Sequence, residues 1–320
     1  MFKKKLSKPL KYGLALLAAL GIGLWLTPKP AQAAALDQPV VTLGTTLTQD
    51  QQQGTISTLT KNLNDTSNYK TITVTGATLV KYLNPSGSSF SNGSSVWSSA
   101  AVEKTSSGSG INVTILNYNG KNNITTITAD QYKNAALTAG VSDANIYVTS
   151  AVPIDGSGAL AGVYAAFDQS GNGLNQQQIN AAQDELGTLS DINQANKGKD
   201  GYSDAQLNNA VTGAKSDMAK AGTNVSVGQI TTIVNNQLTK NNIQNVINNN
   251  QKQQIINLLV KVRDSGALNS SNFKAQAQKL SDSIVADAKN IFNKFNTQEN
   301  RNFFQKIWDN VVNFFHSIFG

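Results

Sequence analysis

The sequence predicts an α+β fold: a small mixed sheet of about five strands with interspersed helices, then a mostly α-helical C-terminal half and a terminal amphipathic helix. Three observations carry that prediction. Short segments before residue 150 alternate apolar and polar side chains, as at Ile72 and Val74 or at Ile111, Val113 and Ile115, which is the period of a half-buried strand. Beyond Leu174 the apolar residues fall at three- and four-residue intervals, the period of a helix. The last 23 or so residues concentrate aromatic side chains on one helical face.

Ahead of these elements lies an export segment. Lys3, Lys4, Lys5, Lys8 and Lys11 form a basic head, residues 12–26 are almost wholly apolar, and Ala31, Ala33 and Ala34 frame a small-residue cleavage site. The apolar run would be roughly 22 Å long as a helix, against the roughly 30 Å core of a bilayer. Residues 1–33 are therefore expected to be a signal peptide cut after Ala33, which places the protein outside the cell or in its envelope.

Removing that segment changes the electrostatics. The full chain carries +7 with 26 basic and 19 acidic residues, but six of the lysines and no acid lie in residues 1–33. The remainder is nearly neutral, so it lacks the concentrated basic surface that nucleic acid requires. Residues 34–320 are long enough for a real hydrophobic core, and the chain has no cysteine, although an exported protein could use disulfides.

In residues 34–170 the first strand is expected at 40–43. Thr48 with Gln51 then forms a capping box that opens a helix whose apolar face uses Ile56, Leu59 and Leu63. A second strand follows at 71–75, a short helix at 77–83, and a Ser/Gly-rich mobile loop at 85–95. Segments 96–104 and 111–117 flank a Gly/Ser-rich stretch and predict a hairpin with a long loop. Thr128 and Gln131 repeat the capping box for a helix that stops at Gly140. A strand at 145–149 leads to Ser157, expected to cap a helix over 158–168. No clear internal repeat emerges; residues 41–51 and 124–131 share a strand and capping-box pattern, but the match is too short to make them copies of one unit.

Residues 171–296 read as helical throughout. Asn175, Ser203 and Ser226 are expected caps, while Gly187, Gly222 and Gly266 are expected stops. The Asn-rich run 241–250 is a poor helix former and reads as a junction or frayed helix.

Few side chains here could carry chemistry. Without cysteine and with His316 alone, thiol catalysis and multi-histidine zinc sites are excluded. A Ser-Lys dyad needs no histidine, yet no motif singles out a serine. Paired carboxylates are the remaining enzymatic option. Asp184 and Glu185 are neighbours on a helix and point about 100° apart, which reads as solvated helix charge. The stretch from Asp168 to Gly173 has the spacing of half a calcium loop, but Ile179 stands where a bidentate glutamate is required, so a simple turn capped by Asn175 explains it. Gly156-Ser157-Gly158 reads as a cap with close packing rather than an anion cradle. No cofactor is expected.

Residues 297–320 hold the outstanding adhesive surface. Phe304, Ile307, Trp308, Val311, Phe315, Ile318 and Phe319 share one face, with Lys306, Asp309 and Asn313 among the residues opposite. Lys306 and Asp309 argue against spanning a bilayer. That face can dock on its own chain, meet a protein partner, or lie on a membrane surface.

Several segments together resemble one family. Val40-Val41-Thr42-Leu43-Gly44 followed by Leu47-Thr48-Gln49-Asp50-Gln51, Ile124-Thr125-Thr126-Ile127-Thr128, the stretch from Tyr132 to Val141, and Val152-Pro153-Ile154-Asp155-Gly156 through Gly162 are similar in order and spacing to the YpuA-like secreted proteins of Gram-positive bacteria. The resemblance covers about residues 36–290 and implies an exported protein of a domain family without assigned function. It brings no catalytic residues. The resulting expectation is a non-catalytic binding or interaction protein of the envelope or extracellular space, with an envelope hydrolase using Asp/Glu carboxylates as the alternative.

Overall fold

The computed structural model describes residues 36–169 and 173–293. The expected signal segment with Ala31, Ala33 and Ala34, and the terminal helix with Phe304, Ile307, Trp308, Val311, Phe315, Ile318 and Phe319, lie outside the described residues. The α+β class is as expected.

Five strands, β1 (Val40–Gly44), β2 (Lys70–Val74), β3 (Ser98–Lys104), β4 (Ile111–Ile115) and β5 (Ala144–Ser150), form one sheet in the order β2-β1-β3-β5-β4. β1 runs parallel to β2 and β4 parallel to β5, while β3 is antiparallel to both of its neighbours. This corrects the expected hairpin, because β5 lies between β3 and β4. Alternation in the sequence identifies a strand but not its partner. The local cause is Asp143, which sits at φ 49° immediately before β5. Its carbonyl accepts from the Thr105 amide at 2.8 Å and its carboxylate from the Gly110 amide at 2.9 Å. Both ends of the β3–β4 loop are thus held to the start of β5, which enters between them.

Both faces of the sheet are covered. The helix α1 (Gln49–Thr60) closes one face, burying Val41, Leu43 and Ala101 against Leu59 and Leu63. On the other, Val74, Ala100, Val102, Ile146 and Val148 join the main core with α3 (Ala129–Thr138) and α4 (Ser157–Asp168). α4 approaches β1 and β3 closely because Gly158 and Gly162, one turn apart, face Ser98 and Thr42. A methyl group on Gly162 would collide with Thr42 Oγ1. The close-packing reading of this segment therefore holds, and the cap reading needs a change. The residue before α4 is Gly156 in the left-handed region at φ 109°, and Ser157 Oγ turns back to Asp155 instead of capping.

The capping boxes at Thr48/Gln51, Thr128/Gln131 and Ser226/Gln229 all form, and Thr75/Thr78 adds another at α2 (Gly76–Leu83). Asn175 caps α5 (Gln176–Asn196) and Ser203 caps α6 (Asp204–Ala221). Gly187 does not stop a helix; it lies within α5, exposed and with open space where a side chain would go. The helix continues because its apolar residues, Ile179, Leu186, Leu189 and Ile192, are buried on both sides of that glycine. Residues 241–248 of the Asn-rich run join α7 (Val227–Lys240) to α8 (Asn249–Asp264) as a junction, Asn248 caps α8, and the last two residues of the run open that helix. As expected, residues 41–51 and 124–131 are not copies of one unit: Ile124 makes an isolated bridge to Ile154 where the first segment supplies β1. The loop at 85–95 includes a 3-10 turn and is tied back by the side chain of Asn84, which bonds both the amide and the carbonyl of Phe90.

α5 packs on α3 and α8, and α6 on α3, α7 and α9 (Phe273–Asp287), which is followed by α10 (Lys289–Asn293). A continuous apolar cluster runs from the sheet into these helices.

Candidate functional site

The interior contact between the sheet-covering helix α3 and the helices α5 and α6 is unusually polar. On α6, Asp204, Asn208 and Thr212 recur every four residues, so they share one face with Lys215. Facing them from α3 are Gln131, Asn134 and Thr138. Asn134 Nδ2 donates to Asn208 Oδ1 at 3.1 Å, and Thr212 Oγ1 donates to Asn134 Oδ1 at 2.8 Å. At the far end, Lys215 Nζ lies 2.8 Å from Glu185 Oε1 and also donates to the Asn134 carbonyl and Thr138 Oγ1. Thr138 Oγ1 meets the other Glu185 oxygen.

Glu185 is thus fully buried, which corrects its reading as a solvated helix charge. Its neighbour Asp184 does lie at the surface, paired with Lys261 at 2.6 Å. The two point apart as the helical projection requires; whether the inward one meets a lysine depends on α6, thirty residues later in sequence. Desolvation lowers the pKa of Lys215, an effect that the Glu185 carboxylate opposes. All three ammonium protons have acceptors, so this pair is a filled structural contact rather than a reactive amine.

The near end of the seam carries a perturbed carboxyl. Asp204 accepts from Thr128 Oγ1 at 2.6 Å and from Gln131 Nε2 at 3.2 Å, the residues of the α3 capping box. Burial pushes its pKa up to about 6; the nearby Asp130 adds to the rise, while Thr128, Asn208 and Gln131 oppose it. A carboxyl that holds its proton near neutral pH is what general acid catalysis needs. Asp204, however, lines neither of the surface grooves described next.

The first groove is formed by facing stripes of two helices. Gln177, Asn180, Ala181 and Asp184 follow the i, i+3, i+4, i+7 spacing of one α5 face, and Lys261, Asp264 and Ser265 face them from α8. Pro85 and Ser86 border the groove, whose volume is about 410 Å³. The second, about 470 Å³, lies between the Thr223–Ser226 loop and the end of α8. Asp264 lines both. Arg263 spans from the Asp264 carboxylate, 2.7 Å from Nε, to the Val225 carbonyl, 2.7 Å from Nη1. The charged side chains of the two grooves are Asp184, Asp264, Lys261 and Arg263, a balanced set. Sequence reading singles out Asp184 but not its groove, because α8 is distant in the chain.

Residues 170–172 of the Asp168–Gly173 stretch lie outside the described residues, and Asp168 itself has a structural use. Tyr82 Oη donates to Asp168 Oδ2 at 2.8 Å, and Lys81 Nζ reaches the same oxygen. The Lys81 cation leads the lowering of the Asp168 pKa, with burial opposing it. Gly156 lies against Tyr132, whose hydroxyl donates to the Gly156 carbonyl at 2.7 Å, in accord with packing rather than anion binding. Among the described residues no group of three His, Cys, Asp or Glu side chains could hold a metal ion, and no helix is long and apolar enough to cross a membrane.

A family model described as "Protein of unknown function (DUF1002)" matches residues 43–280. The "Uncharacterized protein YpuA" of Bacillus subtilis (strain 168) is 29% identical over 307 residues, which cover 95% of this chain and 99% of that protein. No solved structure matches the chain.

Proposed function

The chain belongs to the family described as protein of unknown function (DUF1002), and from that premise we propose that it is an exported, non-catalytic binding protein of the cell envelope or extracellular space. The support for export is the basic head, the apolar run and the small-residue site at Ala31, Ala33 and Ala34. The aromatic face at Phe304, Ile307, Trp308, Val311, Phe315, Ile318 and Phe319 supplies a means of attachment to a membrane surface or to a protein partner.

The observation that carries binding over hydrolysis is the placement of the carboxyl groups. A two-carboxyl hydrolase needs one protonated acid and one carboxylate facing the same cleft, roughly 5–9 Å apart. The carboxyl with the raised pKa, Asp204, is turned into the α3–α6 seam, whereas the groove carboxylates Asp184 and Asp264 are each engaged by a cation. The grooves therefore offer hydrogen-bonding groups without an acid and base poised for bond cleavage.

The test is fractionation of producing cells into medium, wall and membrane, with the full chain and with residues 298–320 deleted. Export predicts the protein in the medium or envelope fractions, shortened by the signal segment. An uncleaved chain retained in the cytoplasm would defeat the proposal.

A further inference from the structure

The α5–α8 groove has an uncommon composition for the space between two packed helices. A helix pair normally closes its seam with interlocking apolar side chains. Here the floor under the groove is made by Ala181 and Ser265, both buried. These two side chains are too short to fill the gap between the helices, and the walls rise through Gln177 and Asn180 on one side and Asp264 on the other. The volume of about 410 Å³ lies within the ~300–1,000 Å³ range of small-molecule sites.

The chemistry of the walls narrows the class of ligand. Primary amides both donate and accept, and an ionised carboxylate accepts only, so the set is matched to a ligand whose groups can do both, as hydroxyls do. Asp184 is matched by Lys261 at 2.6 Å, and Asp264 by Arg263 at 2.7 Å, which removes the net field that would select a charged ligand. A peptide in extended form would need a free strand edge or apolar anchor pockets. The groove walls are helical, and their apolar side chains are Pro85 and Ala181.

We propose that the groove between α5 and α8 binds a neutral, polyhydroxylated chain, a glycan segment, through Gln177, Asn180 and Asp264. The inference rests on the binding reading given above. It adds the site and the ligand class.

Calorimetric titration of the full chain with a tetramer of N-acetylglucosamine, and in parallel with a neutral Gly/Ser octapeptide, tests it. The expected result is saccharide binding that weakens roughly 2–10-fold in Asn180→Ala and in Asp264→Ala, the effect of losing about one hydrogen bond each. Asn224→Ala, in the second groove, leaves the affinity unchanged. Circular dichroism confirms that each variant is folded. Lack of saccharide binding at about 10 mM, an affinity indifferent to both groove substitutions, or a preference for the peptide overturns the inference. Failure of the broader reading is separately visible: release of new reducing ends during the titration would mark a hydrolase while leaving the ligand class intact. An exported chain that binds no saccharide would sink this inference alone.

Discussion

Lys215 and Glu185 form an ion pair whose two side chains are both wholly shielded from water, with Nζ 2.8 Å from Oε1. Such a pair contributes little net stability compared with apolar residues of the same size, but breaking it leaves a buried charge without its counterion. Lys215→Met is therefore expected to destabilise the fold by about 3–5 kcal/mol in urea unfolding. The double variant Lys215→Met/Glu185→Leu should recover much of that loss, because no charge is then stranded. A single variant within about 0.5 kcal/mol of the parent would show that the pair is not buried in solution.

Asp204 should make stability depend on pH in the sense opposite to ordinary acid denaturation. Its pKa is raised from 3.8 to about 6 in the folded chain, so the fold favours its neutral form. The favourable contribution is complete below the unfolded value and is lost as pH rises through the folded one. Between about pH 4 and 6 the loss is on the order of 3 kcal/mol. Asp168 and Asp143, whose pKa values are lowered, act in the reverse direction, so the parent's curve alone is a sum. The informative quantity is the difference between parent and Asp204→Asn, followed by urea unfolding at several pH values. The variant should gain on the parent as pH rises from 4 to 7. A constant difference would disprove the assignment.

The sequence makes the local elements legible where a short-range device sets them. Thr48, Thr128 and Ser226 announce their helices because each finds its partner glutamine three residues on. The failures share a longer range. Proximity suggests a β3–β4 hairpin, yet Asp143 binds both ends of the loop and directs β5 into the gap. Gly187 looks like a stop, but burial of the apolar residues on either side carries α5 through it. The polar seam is illegible for a related reason. Asn134, Asn208 and Thr212 at helical spacing are indistinguishable from a solvated face until two such faces meet. Asp184 is visible as a surface charge; the groove it borders needs α8.

The aromatic terminal segment offers a prediction from composition. Trp308 with the neighbouring Phe and Ile residues suits a lipid interface, while Glu299, Arg301, Lys306 and Asp309 balance and give little attraction to anionic headgroups. If the segment attaches to membrane, the chain should co-sediment with neutral and anionic liposomes to similar extents, and deletion of residues 298–320 should abolish it. Equal sedimentation after deletion would remove the membrane from consideration.

Two glycines should respond to alanine in opposite directions. Gly162 faces β1 so closely that a Cβ would lie 2.3 Å from Thr42 Oγ1, and that hydroxyl is engaged with the Ala100 amide and carbonyl across the sheet. Relief requires α4 to move away from the sheet or Thr42 to surrender these bonds, so Gly162→Ala is expected to cost about 1–3 kcal/mol. Gly187 lies inside a helix with nothing within 4 Å of the place a Cβ would take. There alanine restricts the unfolded chain without straining the folded one, and Gly187→Ala should stabilise by about 0.5–1 kcal/mol. Thermal or urea unfolding of the two variants beside the parent gives both signs. Stabilisation by Gly162→Ala would mean that α4 does not sit against β1 at this distance, and destabilisation by Gly187→Ala would mean that α5 is not a continuous exposed helix there.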